Sequence, residues 1–148
     1  MMESSRKQLR ILLVEDNPTN QQVVTLFLSH DGHSVTIAES GGESLALVER
    51  ERFDVILMDV QMPDMDGYLT TREIRLRERE TGERVPIIAL TAHAFEADRA
   101  RCFEAGMDEF LTKPINMNEL RRILDRIICA GDTNHDPGAS HDVGHRAA

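Results

Sequence analysis

Short apolar runs alternate along the chain with longer stretches in which apolar residues recur at helical spacing. The runs lie at residues 10–14, 34–38, 55–58, 86–90 and 109–112. Each run is too short for a helix, and a uniformly apolar run is typical of a strand buried on both faces. The run at 34–38 is less apolar than the first, so we expect it nearer an edge of the sheet.

Helix-capping residues mark the ends of the stretches between the runs. Asn, Ser and Asp side chains can accept a backbone N–H at a helix start, and Gly can adopt the left-handed conformation that follows a helix. Two of the helices are expected over about 68–80 and about 95–105. The predicted N-caps are Asn17, Ser40, Asp66 and Asn116, and the helix ends are predicted near Gly32, Gly82, Gly106 and Gly131.

Five strands alternating with five helices predict a single α/β domain. Right-handed strand–helix–strand connections place such strands side by side, so the fold class is a (βα)5 doubly wound, five-stranded parallel sheet. A chain of 148 residues is long enough to bury one core unaided. We expect a flexible N-terminus at residues 1–8, the folded domain at 9–130, and a disordered tail at 131–148, where Val143 is the one sizeable aliphatic residue.

Composition narrows the classes of partner. A formal net charge of −9 and a pI of about 5.1 argue against nucleic-acid binding, which requires clustered Lys and Arg. No stretch approaches the roughly 18 apolar residues of a membrane span, and the N-terminus lacks the apolar core of a signal peptide. We therefore expect a cytoplasmic protein without membrane contact. Cys102 and Cys129 are isolated in helical contexts, which favours two reduced thiols.

Polar side chains stand where four of the five predicted strands end. Glu15 and Asp16 follow the first strand, Asp59 the third, Thr91 the fourth and Lys113 the fifth. In doubly wound sheets, ligands bind beyond the carboxyl ends of the strands, at the point where the strand order reverses. An acid at one strand end is commonly a cap or a solvated loop residue. Agreement among four strand ends predicts a functional site at this edge.

Converging carboxylates need a compensating cation. Two carboxylates about 4 Å apart repel by roughly 4 kcal/mol at an effective dielectric constant of 20. Oxygen ligands select a hard ion, and a site with few carboxylates, a backbone carbonyl and water suits Mg²⁺ better than a seven-ligand Ca²⁺ cage. The sequence therefore predicts a magnesium site.

The loop behind Asp59 closes at Pro63 and Asp66-Gly67. Proline fixes φ, and we expect Gly67 to supply the positive φ of a tight reversal. The acids of this loop could suggest an EF-hand, but Met62 occupies the first ligand position, and that interpretation fails.

These motifs together resemble the receiver domain of two-component response regulators, over about residues 9–130. The matching motifs are Glu15-Asp16, Asp59 with MPDMDG behind it, Thr91-Ala92 and Lys113-Pro114. The segments 90–98 and 103–114 look most like receivers associated with hybrid histidine kinases. The resemblance implies the flavodoxin-like strand order 2-1-3-4-5. Glu15 in place of the first Asp of the acidic pair is a common variant in this family.

The resemblance implies a role for each site residue. Asp59 would accept a phosphoryl group from the phosphohistidine of a histidine kinase or a histidine phosphotransfer protein, so the domain would catalyse its own phosphorylation and dephosphorylation. Lys113, in a cis Lys113-Pro114 bond, would contact the phosphoryl group. So would the Thr91 hydroxyl and the backbone of Ala92. The implied Mg²⁺ ligands are Asp16, Asp59 and the backbone carbonyl of Gln61, with Glu15 acting mainly through water.

The resemblance also implies a switch. On phosphorylation Thr91 would move towards Asp59, and Phe110 would fill the vacated space; the alternative is that Phe110 is a static core residue. The surface of helix 4, strand 5 and helix 5 would then change its affinity for a homodimer partner or a downstream effector. Gln61 and His93 border the path of the hydrolytic water and would set the phosphoryl lifetime; the commoner alternative for His93 is a surface histidine with no role. A docking patch is predicted at Arg99, Arg101, Arg121 and Arg122; the alternative for each arginine alone is a merely solvated surface.

Three rival functions are weighed against the receiver. A phosphatase or phosphotransferase of the haloacid-dehalogenase type places a second Asp two residues after its nucleophile, where this chain has Gln61. A nucleotide-binding or flavodoxin-like cofactor protein needs a Gly-rich phosphate loop after strand 1, where Glu15 and Asp16 stand instead. A pseudo-receiver, which only mediates contacts, would lack a key residue. Whether the chain stands alone or belongs to a longer kinase stays open.

Overall fold

The structure is a computed structural model that describes residues 8–62, 66–93 and 95–133. Predictions for residues 1–7, for the loop positions 63–65, and for the tail from 134 onwards lie outside the described residues. The strands are β1 (Arg10–Val14), β2 (Ser34–Ala38), β3 (Val55–Asp59), β4 (Ile87–Thr91) and β5 (Glu109–Thr112). The helices are α1 (Pro18–His30), α2 (Gly41–Arg50), α3 (Gly67–Thr81), α4 (Glu96–Ala105) and α5 (Met117–Thr133).

All strand pairs are parallel, and the sheet order is β2-β1-β3-β4-β5. The predicted fold class and strand order are therefore confirmed. β2 lies at an edge, as its weaker apolar character indicated. The strand order reverses at β1, because β2 follows it on one side and β3 on the other.

Alternate residues of the central strands point to opposite faces of the sheet. On one face, Leu12, Ile56 and Ala89 join side chains of α2, α3 and α4 in one buried hydrophobic cluster, to which the helices contribute Leu47, Ile74 and Cys102. The neighbouring strand residues on the opposite face, Leu13, Leu57, Ile88 and Leu90, are also buried. Burial on both faces explains the uniformly apolar runs in the sequence.

Three predicted N-caps form the expected hydrogen bonds. Asn17 Oδ1 accepts from the Asn20 N–H at 3.1 Å, Ser40 Oγ from Glu43 at 3.1 Å, and Asp66 Oδ1 from Leu69 at 2.9 Å. Gly82 and Gly106 adopt φ of 78° and 109° after α3 and α4. The local chemistry therefore determines where these helices begin and end.

The start of β4 and the end of α5 differ from the predictions. β4 begins at Ile87 instead of residue 86, because Pro86 has no N–H for the sheet and contributes only a carbonyl, which accepts from Ile56 N at 2.9 Å. α5 continues to Thr133 and does not end near Gly131. Glycine costs only about 1 kcal/mol within a helix, which is too little to end one by itself. The last three residues of α5 therefore lie within the range 131–148 that was predicted as the tail.

The α3 residue Arg75 links its helix to the loops that precede β4 and β5. Its guanidinium donates to the carbonyl of Gly106 at 2.9 Å, to that of Val85 at 2.8 Å, and to Asp108 Oδ2 at 2.9 Å. The same Asp108 oxygen accepts the N–H of Ile87 at 2.9 Å. This network fastens the amino-terminal ends of β4 and β5 to α3.

α5 is an amphipathic helix that forms a separate compact unit from residue 117 onwards. Leu120, Ile123 and Leu124, which belong to its predicted apolar stripe, are buried. Within the described part of the chain, no helix combines the length and apolar character that a bilayer crossing requires.

Candidate phosphoryl and metal site

Strand register brings the polar strand ends to one edge of the sheet. Asp59 is the last residue of β3 and pairs with Leu90, so Thr91 lies one position further along β4. Thr91 in turn pairs with Thr112, and the N–H of Lys113 donates to the Thr91 carbonyl at 2.7 Å. The predicted convergence at the carboxyl edge is therefore present in the backbone.

Three carboxylates meet at this edge. Ligand oxygens of Glu15, Asp16 and Asp59 all lie within 4.8 Å of one another. Glu15 and Asp59 are each only 1% exposed, while Asp16 is exposed. A group of this kind can hold a metal ion, with two ligands fixed in the protein and one facing solvent.

Residues at the start of α1 hold Glu15 in place. Glu15 Oε2 accepts from the Asn17 N–H at 3.1 Å and from Asn20 Nδ2 at 3.4 Å, and its backbone carbonyl accepts from Gln21 Nε2 at 2.7 Å. Asn17 was predicted only as a helix cap, and no role was predicted for Asn20 or Gln21. Their spacing, two to six residues beyond the first acid of the pair, is the signal that could have revealed them.

Asp59 is fixed through both oxygens. Oδ1 accepts the N–H of Gln61 at 2.9 Å, and Oδ2 accepts from Lys113 Nζ at 3.0 Å. The Lys113-Pro114 bond is cis, as expected. A buried carboxylate with one backbone donor and one ammonium is thus oriented and partly neutralised.

The cluster of three carboxylates carries more negative charge than Lys113 can neutralise. Burial raises the pKa of the Glu15 carboxyl above its ordinary value, and the neighbouring Asp59 charge raises it further, against hydrogen bonds from Asn17 and Asn20 and the charge of Lys113. Burial lowers the pKa of Lys113, but the hydrogen bond and charge of Asp59, together with the charge of Glu15, outweigh it and leave the pKa raised. Lys113 therefore keeps its positive charge among the acids.

A divalent cation fits the residues present. One ammonium against three carboxylates leaves two negative charges, which one divalent ion neutralises. Glu15 Oε1 is buried without a hydrogen bond; the nearby Lys113 Nζ lies 3.3 Å away as an ion pair only. A buried carboxylate oxygen without a hydrogen bond is costly, and an ion or its bound water would satisfy it.

Thr91 is buried at the same edge, but its hydroxyl is already engaged. Oγ1 accepts the N–H of His93 at 3.1 Å and donates to the carbonyl of the same residue at 3.1 Å. No hydrogen bond joins Thr91 to Asp59 in the described parts of the chain. The expected contact of this hydroxyl with a phosphoryl group therefore requires release from His93.

Gly67 approaches the Asp59 backbone closely. A Cβ added at Gly67 would lie 2.6 Å from the Asp59 carbonyl oxygen and 2.7 Å from Val60 Cα. Gly67 does not have a positive φ; among the described residues, the glycines that do are Gly32, Gly82 and Gly106. The expectation of a left-handed conformation was wrong. The glycine is required because α3 begins against the end of β3.

The remaining predicted residues belong to the strand ends, to β5 and to the helices that follow β4 and β5. Gln61 and Ala92 are exposed beside the strand ends. Phe110 is partly buried against the hydrophobic cluster, with the Arg99 guanidinium 4.9 Å from its ring centroid. Arg101 lies in the same way 4.2 Å from the Tyr68 ring centroid. The proposed movement of Phe110 and the docking patch that includes these arginines stay predictions.

Comparison with protein families gives one consistent answer. The family model of the response regulator receiver domain matches residues 11–125. The chain is 38% identical over 138 residues to hybrid signal transduction histidine kinase L of Dictyostelium discoideum, covering 90% of this chain and 8% of that protein. It is 41% identical over 121 residues to the sensor protein GacS of Pseudomonas syringae pv. syringae, covering 81% of this chain and 13% of that protein. The chain thus spans a small part of these relatives.

Solved structures agree with the sequence relatives. The receiver domain of sensor histidine kinase PA1611 from Pseudomonas aeruginosa, with a magnesium ion in its active site cleft, is 50% identical, with a TM-score of 0.74 over 82% of this chain and 98% of that one. The receiver of the Saccharomyces cerevisiae response regulator Ssk1, in complex with the phosphotransfer protein Ypd1, is 30% identical, with a TM-score of 0.74 over 77% and 84% of the two chains. This chain belongs to the response regulator receiver domain family.

Proposed function

We propose that Asp59 is the phosphoacceptor of this receiver domain, and that it works with Mg²⁺ held by Glu15, Asp16, Asp59 and the backbone carbonyl of Gln61. The observation that carries the proposal is the geometry around Asp59: its Oδ2 lies 3.0 Å from Lys113 Nζ, within a cluster of three carboxylates. A buried carboxylate at a strand end, with a fixed cation beside it, is arranged for phosphoryl transfer by positioning and charge neutralisation.

The reaction needs little proton chemistry from the protein. A carboxylate oxygen of Asp59 attacks the phosphorus of a phosphohistidine, the P–N bond breaks, and its electron pair stays on the imidazole of the donor. Lys113 neutralises charge on the phosphoryl oxygens, while the Gln61 N–H orients the carboxylate. When bound, Mg²⁺ supplies Lewis-acid stabilisation of those oxygens and offsets the repulsion among the acids. The Thr91 hydroxyl and the Ala92 backbone contact the transferred group.

The donor is proposed to be a histidine kinase or a histidine phosphotransfer protein. The Ssk1 receiver in complex with Ypd1, together with the hybrid kinases among the relatives, supports this choice.

We assign the folded domain to residues 9–130, extended to 133 by the length of α5. A cytoplasmic location is proposed, since phosphohistidine donors receive their phosphoryl group from ATP in that compartment.

We propose that phosphorylation alters the surface of α4 and β5 through Thr91 and Phe110. Gln61 and His93 are proposed to set the lifetime of the phosphoryl group.

The proposal is tested by incubating the protein with acetyl phosphate and MgCl₂ and measuring its intact mass. We expect one added phosphoryl group, lost on treatment with hydroxylamine and absent when EDTA replaces magnesium. Reduction with borohydride converts an aspartyl phosphate to homoserine, and peptide sequencing should then find homoserine at position 59. Modification mapped to any other residue would refute the assignment, and an unmodified protein would favour a pseudo-receiver.

Glu15→Gln is expected to stabilise the magnesium-free protein by about 1 kcal/mol, because it removes one buried charge next to Asp59. The amide oxygen can still accept from the Asn17 N–H and from Asn20. Thermal unfolding should show a higher midpoint in EDTA and a smaller gain on adding MgCl₂ than in the wild type.

The matched control is Glu80→Gln, which removes an exposed carboxylate of α3. It should leave both the midpoint in EDTA and the magnesium-induced gain unchanged. Equal magnesium gains in the wild type and Glu15→Gln would contradict a metal role for Glu15.

A further inference from the structure

The Thr91 hydroxyl is held in a closed arrangement with the backbone of His93. It accepts the N–H and donates to the carbonyl of that one residue, each at 3.1 Å. A hydroxyl has a single proton, so Thr91 cannot donate to a phosphoryl oxygen while it donates to His93. Whatever holds His93 in this position therefore also keeps Thr91 from the phosphoryl site.

An aromatic contact holds His93. Its imidazole stacks on the Phe95 ring, with the ring centroids 5.9 Å apart and the planes 16° from parallel. Phe95 is 69% exposed, so it contributes little to the hydrophobic core. It also stands at the N-cap position of α4 without a side-chain capping bond, so helix capping does not explain it. The stacking contact is the interaction that the structure shows for this ring.

We propose that Phe95 is a positioning residue of the phosphoryl site: by stacking on His93 it stabilises the arrangement in which Thr91 is engaged, and so opposes phosphorylation of Asp59. This inference rests on the proposed function. Phe95 directly precedes α4, which begins at Glu96. The backbone of Phe95 therefore moves together with that helix. When Thr91 turns towards the phosphoryl group, His93 loses both backbone hydrogen bonds to the hydroxyl, moves relative to α4, and the stack is broken.

The size of the effect follows from the population of the two arrangements. A ligand that requires the released Thr91 binds more weakly in proportion to the stability of the engaged state. A stacked aromatic pair changes the ratio of the engaged to the released arrangement by about three- to tenfold. Removing the ring should therefore strengthen binding of a phosphoryl analogue without any change at the residues that contact it.

The test is a titration of the wild type and variants with beryllofluoride in the presence of MgCl₂, followed by amide resonances. We expect Phe95→Leu to lower the half-saturating concentration by about three- to tenfold. Phe95→Tyr keeps an aromatic ring and should behave as the wild type. Phe103→Leu removes an exposed ring of α4 itself, 45% exposed, and should have no effect.

A double-mutant cycle assigns the effect to the stack. His93→Ala should also tighten binding, and Phe95→Leu should add nothing to it, because each variant removes the same contact. Additive effects, or a Phe95→Leu protein that binds like the wild type or like Phe103→Leu, would overturn this inference alone. A wild-type protein that fails to bind beryllofluoride would overturn the proposed function and this inference with it.

Discussion

Asp59→Asn is expected to abolish incorporation of the phosphoryl group from acetyl phosphate. The amide of Asn lacks the negative oxygen that attacks phosphorus, whereas its size and its ability to accept from the Gln61 N–H are retained. The fold should therefore persist, with a circular dichroism spectrum like that of the wild type. Intact mass after incubation with acetyl phosphate and MgCl₂ measures the loss.

Asp54→Asn is the matched control for this experiment. Asp54 immediately precedes β3, at the end opposite Asp59, and accepts the N–H of Arg10 at 2.8 Å, which an amide oxygen can also do. This variant should be phosphorylated to the same extent as the wild type. A phosphoryl group that persists in Asp59→Asn, or one lost from Asp54→Asn alone, would show that the nucleophile is misassigned.

Gly67→Ala is expected to lower the free energy of unfolding by about 3 kcal/mol. The new Cβ would lie 2.6 Å from the Asp59 carbonyl oxygen and 2.7 Å from Val60 Cα, and both are backbone atoms that cannot turn aside. α3 would have to move away from the end of β3, or Asp59 would shift from Lys113. Urea unfolding measures the stability, and the rate of phosphorylation of the folded variant reports the shift at the site.

Gly42→Ala provides the comparison. Gly42 lies in the first turn of α2, and an added Cβ there meets nothing within 4 Å. Alanine should therefore raise the free energy of unfolding by about 0.5–1 kcal/mol through its better helix propensity. If the two variants had similar stabilities, steric approach at Gly67 would not be the reason for its glycine.

β1, β3 and β4 were predictable from the sequence because their burial on two faces leaves a uniform apolar run. The convergence of Glu15, Asp59 and Lys113 was predictable for a related reason. Parallel strands with right-handed connections place all their carboxyl ends at one edge of the sheet. The residues at the ends of the strands therefore identify most of the site. The family resemblance then supplied the order of the strands.

Other features depend on distances that no local pattern contains. The stacking of His93 on Phe95 and the engagement of the Thr91 hydroxyl by His93 are contacts that the residue types alone do not specify. The requirement for Gly67 comes from the approach of α3 to β3, which only the folded chain shows. The end of α5 was misjudged because glycine was read as a terminator, although a helix tolerates it.

The Arg75 network holds the amino-terminal end of β4 more firmly than its carboxyl end is held. Near Ile87, one guanidinium joins a helix and two loops through partly buried hydrogen bonds, whereas the side chain of Thr91, at the other end, is held by the backbone of His93 in the loop that follows. A displacement that starts at Thr91 thus meets least resistance at its origin and most at the far end of the strand. On phosphorylation, the carboxyl end of β4 should therefore move while its amino-terminal end stays in place. The conformational change should then pass to α4 and β5, and not along β4 itself.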